Sequence, residues 1–157
     1  MSGYSGGDLR HLFSPGTTAE PTRDMLRGTA DAVGKLMTVR ATEMTPRRTG
    51  AVARAMQQTP VHRVPNGYAS GVENSHWRAG WVEHGVKPHD IEPEDKAAII
   101  TPQGPRAGAK HPGHAGAHMV ARAVAETDAV WPRVAGPHLS RWQQDIEARA
   151  KTHRGIT

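Results

Sequence analysis

The chain has 157 residues, of which 36% are hydrophobic and 4% aromatic, with 17 glycines, 12 prolines and no cysteine. That length holds one domain with room for an arm, but an apolar fraction below the roughly 45–50% of ordinary globular chains (a figure that also counts Gly) allows only a thin core. A formal charge of +5 permits contact with nucleic acid or an acidic protein face, whereas the lack of Cys excludes a disulfide framework and thiolate chemistry, and no apolar run approaches the roughly 20 residues of a membrane span.

Residues 1–19 read as a flexible arm. It is punctuated by Gly3, Gly6, Gly7, Pro15 and Gly16 and lacks an apolar signal-peptide core. Leu9, Leu12 and Phe13, the only Phe, form a small apolar knot inside it. Residues 20–44 read as a first helix. Pro21 suits its first turn, and Leu26, Ala30, Val33, Met37, Ala41 and Met44 fall at helical spacing. Gly28 and Gly34 weaken it by about 1 kcal/mol each relative to Ala, which makes sense where another element approaches closely. Pro46 ends it, and Thr49 is an N-cap candidate for a short second helix over 50–58. That helix carries a basic side formed by Arg47, Arg48 and Arg54.

Val61–Val64 and Tyr68–Glu73 read as a hairpin about the Asn66-Gly67 turn signal. Trp77 and Trp81 share a face of a short helix that stops at Gly85. In a chain so poor in aromatics, they serve as anchors for its own core or for a partner. Val86–Ile91 and Ala97–Thr101 read as a second hairpin turning over 92–96, the latter strand apolar enough for a sheet interior. Residues 102–113 read as a loop. Helices are then expected over 115–128 and 138–152, with Pro132, Gly136 and Pro137 as breakers between them. The fold class is α+β: a small antiparallel sheet of about four strands in two hairpins, packed with N-terminal and C-terminal helices. A core domain over 20–130 is followed by a helical extension over 131–157.

The chemistry-bearing residue types form no enzymatic pattern. His111, His114 and His118 have an H-x2-H-x3-H spacing, but no HExxH glutamate accompanies them, and Pro112, Gly113 and Gly116 blur the helical geometry a metal pair needs. Glu83, Asp90, Glu92, Glu94 and Asp95 alternate with Lys87 and Lys96 as a solvated or docking surface does. P-loop and GxGxxG motifs are absent from the sequence, and the arm glycines Gly3, Gly6 and Gly7, which give GxSxG spacing about Ser5, neither follow a strand nor open a helix. The expectation is a protein that is not an enzyme, with no cofactor and no metal.

The order of several short motifs is more specific than any one of them. Pro46-x-x-Thr49-Gly50-Ala51-Val52 opens the second helix. Strands follow, then WRAGWVEHG from Trp77 to Gly85, then Lys87-Pro88-His89-x-Ile91-x-Pro93, an apolar strand, His111-Pro112-Gly113 and a closing helix. Over about residues 22–128 this resembles the neck, or tail-completion, protein family of long-tailed bacteriophages, the head–tail connector type. Glu83 and Gly85 stand at the family's fixed points, Trp77 and Trp81 replace Tyr, and Val86 replaces a Thr common there.

The resemblance implies a structural virion protein at the head–tail junction, made in the host cytoplasm and assembled as a homo-oligomeric ring of sixfold or twelvefold symmetry. Its neighbours would be a head-side connector or stopper ring and the tail terminator or tail tube proteins, with genomic DNA passing through the lumen and no membrane. Phe13, Trp77, Trp81, Glu83 and Trp142 are the candidate subunit or partner contacts. Arg47, Arg48, Arg106 and Lys110 are candidate contacts to channel DNA or an acidic neighbour. The alternatives are a tail terminator capping the tail tube and a small basic, sequence-independent DNA-binding protein. Gly85 is expected to need φ > 0, and at least one Trp is expected to lie against the hairpin sheet or a neighbouring subunit.

Overall fold

A computed structural model describes residues 15–47, 50–65, 67–93 and 98–154. The arm through residue 14, with Phe13, lies outside the described residues, as do Arg48, Thr49, Asn66 and residues 94–97. The frame is an antiparallel pair of long helices, α1 (Pro15–Met44) and α4 (Met119–Arg154). Their contact is the most extensive in the molecule.

Both helices outrun the sequence reading, and the reason is the same. α1 starts at Pro15 and passes through Pro21, and α4 runs 36 residues through Pro132 and Pro137 instead of breaking into two. An interior proline costs a helix about 3 kcal/mol. Here the cost is met by side chains that zip the pair together on either side of the prolines. Trp142 Nε1 donates to Thr22 Oγ1 at 3.1 Å, and Arg149 pairs with Glu20 at 3.2 Å. Ala135 and Ala30 are buried, and further along Met119 and Ala123 pack against Ala41. A Cβ on Gly28 would stand 2.6 Å from His138 Nδ1, so this glycine marks where α4 comes close, as the spacing suggested.

Between the helices the chain makes α2 (Ala51–Arg54), then the strands β1 (Met56–Gln58), β2 (His62–Val64), β3 (Gly67–Ala69) and β4 (Val72–Asn74). The second helix is one turn long, not nine residues. Met56, expected on its apolar side, is instead a buried strand residue opposite Asn74. β1–β4 and β2–β3 are successive ladders of one hairpin. Pro60 has no N–H to continue the ladder. At the break Thr59 bonds across with both main chain and side chain: its N–H donates to Gly71 O and its Oγ1 accepts from Gly71 N at 2.7 Å. Gln58 Nε2 donates across the hairpin to Ser70 Oγ and ties the hairpin to α1 by donating to the Asp31 carboxylate. Bonds from Lys35 and Gln58 hold that carboxyl below its ordinary pKa.

After α3 (Ala79–His84) come β5 (Gly85–Val86), β6 (His89–Ile91), β7 (Ile99–Thr101), β8 (Gly104–Arg106), β9 (Ala109–His111) and β10 (His114–Ala115). β5 pairs with β10, β6 with β9 and β7 with β8. The β5–β10 and β6–β9 ladders share one register, which sets Pro88 opposite Pro112 at the gap between them. The fold is therefore α+β with helices at both ends, but its strands form antiparallel sheets of two strands each rather than one sheet of about four. Pairing differs from expectation as well. β6 meets β9, from the stretch expected to be a loop, and Ile100 is 80% exposed rather than interior. Ladders of two or three residues set between prolines carry too little periodicity to be seen in sequence.

Alanine dominates the core, with two methionines. Among the described residues, the buried apolar set is Ala30, Ala41, Ala123, Ala135, Val52, Met56 and Met119. Thr45 is buried with them and donates to Ala41 O at 2.6 Å, with its Oγ1 3.1 Å from Met119 Sδ.

Candidate functional site

The segment from Trp77 to Gly85 is fixed to the start of α4 by its own backbone and by one carboxylate. Glu83 Oε2 accepts from Val120 N at 3.0 Å and Oε1 from Ala121 N at 3.2 Å. Ala117 N and His118 N donate to the carbonyls of Val82 and Glu83 at 2.7 and 3.1 Å. The first N–H groups of a helix have no partner in the helix and lie at the positive end of its dipole, so an anionic side chain satisfies both needs. Glu83 thus caps a helix 37 residues away in the chain. As a candidate partner contact, its carboxylate is already engaged within its own chain.

Gly85 is the hinge of this junction. Its φ of 81° and ψ of 178° belong to a region only glycine occupies readily. A Cβ there would lie 2.5 Å from His114 O and 2.6 Å from Gly116 N. The expected positive φ is what the structure has, and the close crossing of β5 over β10 adds a second reason for glycine.

On this pinned base stand Trp77 and Trp81. Their rings meet edge to face with centroids 5.1 Å apart and planes at 79°. Trp77 lies in the turn ahead of α3, not within the helix. The Arg78 guanidinium sits 4.4 Å from its ring centroid, and His76 stacks beside it at 6.1 Å. Both Trp are exposed, at 65% and 53%. Neither lies in the protein's own core, one of the two placements expected. Trp142 differs: it is half-buried and engaged with Thr22.

Among the described residues the basic candidates do not form one patch. Arg47 is exposed beyond the end of α1. Arg106 and Lys110 are exposed together on the second hairpin, where they line one depression with Asp90 and Glu92, and Lys110 is the register partner of Asp90. This surface is of mixed sign. His114 and His118 do not share a helix, since His114 is in β10 and His118 precedes α4 with φ 49°. His111 stacks on His89 at 4.9 Å. Among the described residues, no three His, Cys, Asp or Glu side chains converge on a metal position, and no helix is long and apolar enough to cross a membrane.

The chain matches no family model, no curated protein and no solved structure.

A second surface feature was missed in the sequence. An open apolar groove of about 690 Å³ runs between α1, α4 and β3. Leu26, Val124, Trp131 and Leu139 line it while remaining 38–48% exposed, and Asp128 stands among them. Thr127, 1% exposed, also lines it, and its Oγ1 has no hydrogen-bond partner. The signal was the spacing of Val124, Thr127, Trp131, Ala135, Leu139 and Trp142, which runs three or four residues at a time straight through Pro132. Treating that proline as a breaker concealed it.

Proposed function

We propose that this chain is a structural protein of the phage neck, one subunit of an oligomeric ring that joins the DNA-filled head to the tail and completes the tail end. The proposal begins from the order of motifs between residues 22 and 128. The observation that supports it most is an inversion of size. Among the described residues the core is mainly alanine, while Trp77, Trp81, Trp131, Ile100 and Leu139 stand exposed. Burying a large apolar side chain contributes about 1.5–3 kcal/mol. A chain that leaves these outside gains that stabilisation only in an assembly. The role requires no catalytic residue and no cofactor, and its neighbours are a connector or stopper ring on the head side and tail terminator or tail tube proteins on the other.

Electron microscopy and mass spectrometry of purified virions test this. The protein is expected as a ring at the head–tail junction, and its loss is expected to leave heads and tails unjoined. Detection in infected-cell lysate but never in particles overturns the reading. A position at the end of the tail tube alone assigns it to the tail terminator. The DNA-binding alternative calls for duplex binding with a steep salt slope. The placement of Lys110 opposite Asp90 in the strand register and the spread of the arginines along the chain weigh against it.

A further inference from the structure

We infer that the Trp77–Trp81 pair of one copy seats in the α1–α4 groove of the next copy, a head-to-tail contact. This rests on the ring reading and names the surfaces that close the ring.

Three observations carry it. First, the two features are an exposed aromatic knob and an open apolar cleft, and neither Trp lines the cleft of its own chain. The knob is held beyond the Val124 end of the groove rather than at its middle. Glu83 clamps the knob to residues 120 and 121, whereas the middle of the groove, near Trp131, lies about ten residues further along α4. At 1.5 Å per residue that is about 15 Å away. Second, the charges match. Arg78 lies against Trp77 on the knob, and Asp128 stands at the groove. A pair formed beside a desolvated aromatic anchor orients the contact more than it strengthens it. Third, the chemistry is that of an interface centre. Trp and Arg dominate interface hot spots, and they seat in apolar pockets of the partner. Two different patches meeting make a heterologous contact, the kind that propagates around a ring, whereas a patch meeting itself stops at a dimer.

The absence of cysteine from the chain makes the test clean. Gly80→Cys places a thiol beside the knob, where a Cβ meets nothing within 4 Å. Leu139→Cys places one at the half-exposed far end of the groove. Full-length proteins carrying each change are mixed at high concentration and treated with a short bis-maleimide. The expected result is a cross-linked dimer in the mixture and little in either sample alone. Dimers of Gly80→Cys with itself overturn the inference, because they show Trp meeting Trp.

In sedimentation, the double change Trp77→Ala with Trp81→Ala is expected to weaken self-association by about 30-fold or more, the scale of a hot spot, with unchanged thermal unfolding. Arg78→Asp should weaken association, and adding Asp128→Arg should restore it. Self-association that persists without the mixed cross-link overturns this contact while leaving the ring standing. A chain that stays monomeric, gives no cross-link and is absent from particles overturns both.

Discussion

Replacing Glu83 by Ala removes the carboxylate that ties the Trp77–Gly85 segment to the start of α4. The substitution removes both acceptors from the start of α4. The bond to Val120 N is half-buried, and its loss is expected to cost about 1–2 kcal/mol, the range for a charge-assisted bond partly screened by water. The bond to Ala121 N is exposed, so water replaces it at about 0.5 kcal/mol. Removing the anion from the positive helix end adds about 0.3–1 kcal/mol. The total is about 2–3 kcal/mol, and at 2–4 °C per kcal/mol for a chain of this length Tm falls by about 5–10 °C. Glu83→Gln keeps an acceptor and loses the charge, so about half the loss is expected. Glu83→Asp is too short to reach both N–H groups and should resemble Ala. Thermal and urea unfolding followed by far-UV circular dichroism measures all three. An Ala variant within a degree of wild type refutes the clamp. A Gln variant as poor as Ala shows that the anionic charge contributes all of the effect.

Gly85→Ala must enter a glycine-only region and meet His114 O, so a loss beyond about 3 kcal/mol is expected, read as a collapsed Tm or insoluble expression. Gly80→Ala is its control: inside α3 with open space around it, it should raise stability by up to about 1 kcal/mol in the same melt. Thr127→Val removes a buried hydroxyl that has no partner, and a gain of about 1 kcal/mol in urea unfolding is expected, with a loss pointing to an unseen partner in the groove. The Asp31 carboxyl is held below its ordinary pKa by Lys35 and then Gln58, so its contribution is complete above the unfolded value near 3.9 and fades as pH drops through the lower folded value. Asp31→Asn should therefore flatten the fall in urea midpoint below about pH 4, modestly because the group is exposed.

The α+β class, the helical ends and the conformation of Gly85 were legible because each is a local matter. A helical stripe lies within one turn or two of itself, and a short helix followed by Gly carries its own stop signal. What escaped was decided at a distance. Pro132 and Pro137 read as breakers because sequence displays their cost and hides what offsets it, which lies more than a hundred residues away in Thr22 and Glu20. Glu83 was singled out by resemblance, yet its partners at 120 and 121 sit across the whole second hairpin. The groove follows from the unbroken α4, so missing the one meant missing the other.

The antiparallel register of α1 and α4 also gives the molecule two unlike poles. The ion pair of Glu20 with Arg149 puts the start of the first helix and the end of the last at one pole. Thirty residues of helix, about 45 Å, separate that pole from the other, where Thr45 meets Met119. A fluorophore attached near either outer helix end therefore reports from the same place, far from Trp77. In a closed ring of such rods, rotational symmetry would set every outer helix end on one circle and every tryptophan pair on another. A single label at either outer helix end would then give the orientation of the whole assembly.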